Sequence, residues 1–165
     1  AFMDIRHITE NDDYSAIRSI YEQSWKYAYK GIIPQDYLDN IPKTKWGGNI
    51  LKNGRTEIGA FIDGKIVGTA SFCPSRWEKF NSCGEVVTIY LLPEYMGKGI
   101  GTMLMNACVQ ELQLLGFTTI ILWVLEDNYR ARHFYEKYGF ICTGDYMDDV
   151  IGGKELREVM YILRK

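Results

Sequence analysis

The stretch Glu85-Val86-Val87-Thr88-Ile89-Tyr90-Leu91-Leu92-Pro93-Glu94-Tyr95-Met96-Gly97-Lys98-Gly99-Ile100-Gly101 decides how this chain folds. Its first eight residues are rich in β-branched and apolar side chains, and Pro93 ends the run because proline cannot donate to a sheet ladder. Three glycines follow at alternate positions. Beyond them Ile100, Leu104, Cys108 and Leu112 recur along one face, so Gly99 to Gly116 predicts a helix. Strand, glycine loop, helix is the central unit. Glycine lets backbone approach a ligand closely, and the unpaired amides of a helix start favour an anion. A phosphate or diphosphate suits this loop, with Lys98 adding a charge-assisted contact. The spacing is not the G-x-G-x-x-G dinucleotide fingerprint, because Thr102 holds its last position, and no G-x-x-x-x-G-K-[ST] is present. A tight turn with no ligand is the structural alternative.

Upstream, Phe2 to Ile8 reads as a strand, and Thr9 to Asp13 supplies capping side chains before a helix bearing Ile17, Ile20, Tyr21 and Trp25. Gly31 and Pro34 make Tyr27 to Ile41 a broken second helix or a loop. Glu57 to Ile62 and Lys65 to Cys73 form a hairpin across Asp63-Gly64, a pair suited to a two-residue turn. Downstream, Thr118 to Leu125 is almost wholly apolar, as in a strand buried on both faces. Asn128 to Tyr138 reads as a capped helix closed by Gly139. Phe140 to Asp145 and Val159 to Leu163 are the last strands, separated by a polar loop holding Gly152 and Gly153.

A length of 165 residues fits one domain, residues 1–165, and 47% apolar with 24% charged residues suits a chain that folds by itself. Nineteen Lys and Arg against 21 Asp and Glu give a net charge of -2, which disfavours nucleic acid as a partner. No apolar run approaches the roughly 18 to 20 residues of a membrane span, and no leader pattern opens the chain, so a cytoplasmic protein away from membranes is expected. Cys73, Cys83, Cys108 and Cys142 form no C-x-x-C pair and only His7 and His133 could join them, so neither a metal site nor a disulfide scaffold is expected. The cysteines read as packing residues. His133 lies two positions from Tyr135, about 200° around a helix, and reads as a surface residue.

A second constellation is Asn128, Ala131, Phe134 and Tyr135, followed by Gly139-Phe140. Alone, Asn128 reads as an N-cap and Tyr135 as a half-buried packing residue. Together with the glycine loop they resemble the GNAT superfamily of N-acetyltransferases, which carry an R/Q-x-x-G-x-G/A loop and an N-x-x-A-x-x-F-Y-x-x-x-G-F helix. The second pattern matches in full from Asn128 to Phe140; the first matches at Gly99 and Gly101, with Met96 where Arg or Gln is usual. The resemblance implies a mixed α/β fold: a mostly antiparallel, twisted sheet of about seven strands, about four flanking helices, and a cofactor cleft between the fourth and fifth strands.

It further implies acetyl-CoA as cofactor. The diphosphate would sit on Met96, Gly97, Lys98, Gly99, Ile100, Gly101 and Thr102, and the pantetheine along Tyr90, Leu91 and Leu92. Asn128 would bind the pantetheine and Arg132 would reach a phosphate, with Tyr135 close to the sulfur. The Leu91 amide, beside a bulge, would stabilise the oxyanion, Tyr135 would protonate the leaving thiolate, and Glu85 would act as base through a water. Read from its position alone, Glu85 is equally a solvated strand-end carboxylate. Trp25, Tyr29, Glu85 and Tyr146 would border the acceptor, a small cationic amine or a peptide or protein amine, and a homodimer is left open. Two other readings stand beside direct acetyl transfer: a non-catalytic acyl-CoA-binding sensor of the same fold, and, more distantly, a nucleotide-binding oxidoreductase.

Overall fold

Asp63 and Gly64 both take left-handed backbone, φ 49° and 83°, and so join β2 (Thr56–Ile62) to β3 (Lys65–Pro74) in the tight turn their sequence predicts. In this computed structural model, which describes residues 1–42, 44–46, 51 and 54–165, the hairpin extends into a seven-stranded sheet. The other strands are β1 (Met3–His7), β4 (Gly84–Leu91), β5 (Thr119–Leu125), β6 (Ile141–Ile151) and β7 (Lys154–Arg164), in the order β1-β2-β3-β4-β5-β7-β6. Every neighbouring pair is antiparallel except β4 and β5.

Those two strands pair in parallel only at Gly84–Ile120 and Glu85–Ile121. Beyond Glu85 they diverge, and the sheet opens. A bulge helps to part them: the β3 partners step from Phe72↔Val86 to Ser71↔Thr88, leaving Val87 without an opposite residue. An extra residue bends its strand and increases the local twist.

Helices α1 (Tyr14–Ala28), α2 (Gln35–Asp39), α3 (Ile100–Leu114) and α4 (Tyr129–Tyr138) pack around the sheet. Asp13 caps α1, its Oδ1 accepting from the amides of Ser15 at 2.9 Å and Ala16 at 3.3 Å. Ile17 and Tyr21 of that helix bury against Ile8 and Phe61. The apolar face read for α3 is buried as its spacing requires: Leu104, Met105, Cys108 and Leu112 join Val67, Phe72, Val86 and Ile120 in the main core. Burying one such aliphatic side chain stabilises by about 1.5–3 kcal/mol.

The sequence reading falls short in one region. The expected polar loop between the last strands is instead the middle of an 11-residue pair of strands, turned by Gly152 and Gly153 at φ 60° and 81°. A Cβ at Gly152 would stand 2.7 Å from Tyr37, so the tip presses against α2. This edge strand is held by backbone pairing and by pairs such as Arg157 to Asp148 at 2.9 Å, which leave no apolar alternation to read. Among the described residues no helix is long and apolar enough to cross a membrane.

Candidate active site

Where β4 and β5 part, a cavity of about 870 Å³ opens between the glycine loop, α1 and α4. Its β4 wall is an unpaired strand edge. Leu92 donates its N–H to the Val67 carbonyl at 2.9 Å, on the β3 side. Strand alternation then turns the Leu91 N–H away from β3, toward the opening. The expected bulge exists, but it lies at Val87, four residues before Leu91. Leu92, expected on the pantetheine, also accepts the Tyr95 N–H at 2.9 Å and is buried, so both its backbone groups are used inside the protein.

The glycine loop begins as a short 3-10 turn, Pro93–Tyr95, and leads into α3 through Gly99 at φ 84°. This left-handed residue occupies the N-cap, so no side chain caps the helix. Among the described residues, the amides of Gly99, Ile100, Gly101 and Thr102 have no backbone acceptor, whereas Met103 bonds back to Gly99 at 3.2 Å. Bare donors at a helix start form a site for an anion. Met96, Gly97, Gly99, Gly101 and Thr102 line the cavity, and none of these amides depends on the missing Arg or Gln. Ile100 instead turns its side chain into the core, and the Lys98 ammonium lies 5.5 Å from the Tyr95 ring centre.

Asn128 and Tyr135 both reach the same cavity from α4. Asn128 Oδ1 accepts the Ala131 N–H at 3.3 Å, which makes it the N-cap its position suggests and leaves its amide nitrogen without a partner among the described residues. Tyr135 is 9% exposed, with ring contacts to Phe134, Phe140 and Tyr161 at centroid distances of 5.5, 6.1 and 6.2 Å. No described residue hydrogen-bonds its hydroxyl, and burial holds the phenol well above its ordinary value. It is therefore a protonated, unengaged phenol facing the cleft.

Arg132, expected at a phosphate, is committed elsewhere: Nε donates to the Tyr161 hydroxyl and Nη1 to the Glu126 carbonyl, each at 2.8 Å. The cations that line the cleft are Lys30, Arg130 and Lys137, with Arg130 also donating to the Tyr27 hydroxyl at 2.7 Å. The helical spacing of α4 could have found Arg130 and Lys137. Tyr29 lines the cleft, while Trp25 stands behind it, packed edge-on against Tyr29 at 4.9 Å and donating through Nε1 to the Tyr90 hydroxyl at 3.1 Å. Tyr146 lies on the outside of β6 with the Arg157 guanidinium 3.8 Å from its ring, and lines neither cavity.

Glu85 is placed differently from the expectation. It is 1% exposed and belongs to a second cavity of about 410 Å³ beyond the cleft. Arg76 donates to it from its backbone N–H at 3.1 Å, from Nε at 3.3 Å and from Nη2 at 2.8 Å, and Trp77 Nε1 adds a contact at 3.4 Å. Its carboxylate oxygens are thus engaged by the Arg76 guanidinium and the Trp77 indole, on the side away from the cleft. The sequence could not foresee this, since the partner lies nine residues upstream across a turn. Glu158 of β7 is the carboxylate that sequence reading missed, and it borders both cavities. Behind the β4 wall, Glu57 is buried and accepts hydrogen bonds from Tyr21 at 2.8 Å and from Thr69; Tyr21 in turn packs on Tyr90 at 5.0 Å.

A split sheet with a strand edge free along one side and an anion site at its end suits a long carrier bearing amides and phosphates, and a buried phenol between them suits release of a leaving group. The class so defined is acyltransferase. Comparison with known proteins agrees: residues 14–140 match the model of the acetyltransferase (GNAT) family. An uncharacterized N-acetyltransferase, YuaI of Bacillus subtilis (strain 168), is 33% identical over 135 residues, 77% of this chain and 74% of its own length. The spermidine N(1)-acetyltransferase of Thermoplasma acidophilum is 26% identical over 138 residues, 78% of this chain and 83% of its own. The crystal structure of the PaiA N-acetyltransferase from Thermoplasma acidophilum in complex with coenzyme A has the same fold, with a TM-score of 0.81 at 22% identity over the whole of both chains. The chain belongs to the GNAT family and is an acetyl-CoA-dependent acyltransferase.

Proposed function

We propose that residues 1–165 act as one cytoplasmic acetyltransferase domain that moves the acetyl group of acetyl-CoA to the primary amine of a small cationic acceptor, by direct attack in a ternary complex. One observation carries the reading: the free edge of β4 and the bare amides of the α3 start face one continuous cavity. The residues present fit the cofactor, because an amide-bearing arm can extend a strand edge and a diphosphate can take helix-start amides. Acetyl-CoA supplies an acetyl group activated as a thioester.

Gly97 and Gly99 to Thr102 hold the diphosphate, with Arg130 and Lys137 as nearby charge, and the free amide nitrogen of Asn128 donates to the pantetheine. Tyr90 and Leu91 offer the strand edge. The Leu91 N–H donates to the thioester oxygen as negative charge grows there, a contact of the kind whose removal costs about 10²–10³ in rate. Tyr135 gives its proton to the departing sulfur, for which a protonated phenol in an apolar wall is suited. Two relatives support a small amine as acceptor, being named for spermidine and for L-amino acids. Tyr29 forms one wall of the approach.

Release of CoA thiol, followed over spermidine, lysine and a short alanyl peptide, tests the proposal. Turnover with at least one amine is expected, highest with the cationic ones. Acetyl-CoA binding without turnover on any amine would favour the sensor reading instead.

A further inference from the structure

Among the described residues, three border both cavities: Val87, Trp123 and Glu158. Val87 is the bulged residue of β4, and Glu158 stands on β7 opposite Leu125, the last residue of β5. They form the throat between the cofactor cleft and the second cavity, at the place where the two central strands have come apart. An acceptor entering from the second cavity meets the cleft there.

We propose that Glu158 is the catalytic residue that takes the proton from the acceptor's ammonium in this throat. The inference rests on the acetyltransferase reading above and adds to it the group that makes the amine nucleophilic. Glu85 is excluded from that duty by its bonds to Arg76 and Trp77. Glu158, half-buried, receives no hydrogen bond or ion pair from the described residues. Trp123 Nε1, buried in the same partition, also lacks an acceptor among them. The throat thus holds two polar groups that the protein itself does not satisfy, as a ligand passage requires.

The charges around Glu158 are consistent with this. Asp148 and Asp149 of β6 and Glu85 of β4 border the second cavity with it, and Arg76, following β3, is the cation facing it. Arg157, its neighbour on β7, is turned to Asp148. From the cleft side, Tyr29 at the end of α1 interacts with Glu158 and with Tyr135 of α4. Burial first, then Asp149, raises the Glu158 carboxyl above the ordinary carboxylate range, against the opposing pull of Arg76. A raised carboxyl is a better proton acceptor from an ammonium group.

The proton balance closes. An entering R–NH₃⁺ gives one proton to the Glu158 carboxylate, and the free amine forms the new C–N bond while the C–S bond breaks. Tyr135 protonates the thiolate and recovers a proton from the acylated nitrogen. Glu158 then releases its proton to water.

The test compares wild type with Glu158→Gln, using the best amine of spermidine, lysine and the alanyl peptide, with kcat/KM measured from about pH 6 to 10. Acetyl-CoA binding by calorimetry verifies that the variant is folded and keeps the cleft. The expected result is a loss of about 10²-fold near pH 7 that shrinks toward the amine's own pKa, near 10, where free amine is abundant. Unchanged kcat/KM, or a loss equal at every pH, would overturn the role of Glu158 while leaving the acetyltransferase reading in place. Acetyl-CoA binding by wild type without turnover of any amine would overturn that reading, and this one with it.

Discussion

Replacing Glu57 by glutamine should remove a pH-dependent weakness from the core beneath the cleft. Burial raises this carboxyl from 4.5 to about 7, against the opposing effects of its bonds to Thr69 and Tyr21 and of Arg55. Because the folded pKa is raised, the folded chain holds a proton that the unfolded chain has lost between pH 4.5 and about 7. Stability from this group is whole below that window and disappears as pH rises through it. The span from 4.5 to about 7 corresponds to about 3 kcal/mol, most of it falling between about pH 5 and pH 8.5. For a chain of this size that is roughly 5–10 °C in Tm. Thermal unfolding followed by circular dichroism at both pH values, in wild type and in Glu57→Gln, isolates the group from others that titrate. Wild type should lose that much more Tm on alkalinisation than the variant. Parallel losses in the two proteins would refute the reasoning.

Gly99→Glu with Gly101→Glu places carboxylates at the bare amides, and should weaken acetyl-CoA binding by calorimetry at least tenfold, or about 1.4 kcal/mol, in a protein whose circular dichroism is retained. Tyr135→Phe keeps the ring packing and deletes the proton, so kcat should fall by about 10² while the acetyl-CoA Kd stays within about twofold; wild-type kcat would make Tyr135 a packing residue. Glu85→Gln removes the charge that holds Arg76, and should lower stability by about 1–3 kcal/mol in denaturant titration, leaving the shape of the pH–rate curve unchanged. A changed curve would return the proton-accepting duty to Glu85.

Most of the fold was legible because its local signals agree with its packing. Asp63-Gly64 makes the turn its dihedrals permit, Thr119–Leu125 is apolar because its alternate residues pack into two different core clusters, and Asn128 caps the helix that Gly139 closes. β6 was only half legible. None of its 11 residues from Ile141 to Ile151 is buried, eight being exposed, so it carries no apolar alternation, and Gly144, Asp145, Asp148 and Asp149 are poor strand formers, so only pairing with β7 reveals it. The site divides in the same way. The glycine loop, Asn128 and Tyr135, which line the cleft, lie in contiguous motifs and could be read there. Glu158 could not, since it is one of five charged residues in β7 and gains its position from Leu125 opposite it and from the parting of β4 and β5.

The bulge at Val87 connects these points. Strand side chains and amides alternate, so one extra residue exchanges the direction of everything after it. Val86 packs in the α3 core, and beyond the bulge Ile89, Tyr90 and Leu91 touch that cluster, while Thr88 bonds to Ser71 at 2.6 Å. Tyr90 is thereby set against Tyr21 and the buried Glu57, and the Leu91 N–H is turned to the cleft while that of Leu92 is spent on Val67. An unbulged β4 would exchange the two amides and give the cleft a donor from a residue that also terminates the strand. The same irregular residue opens the throat beside Glu158. One local break in the ladder thus turns the Leu91 N–H to the cleft and parts the strands beside Glu158, which is why neither feature is written at Val87 itself.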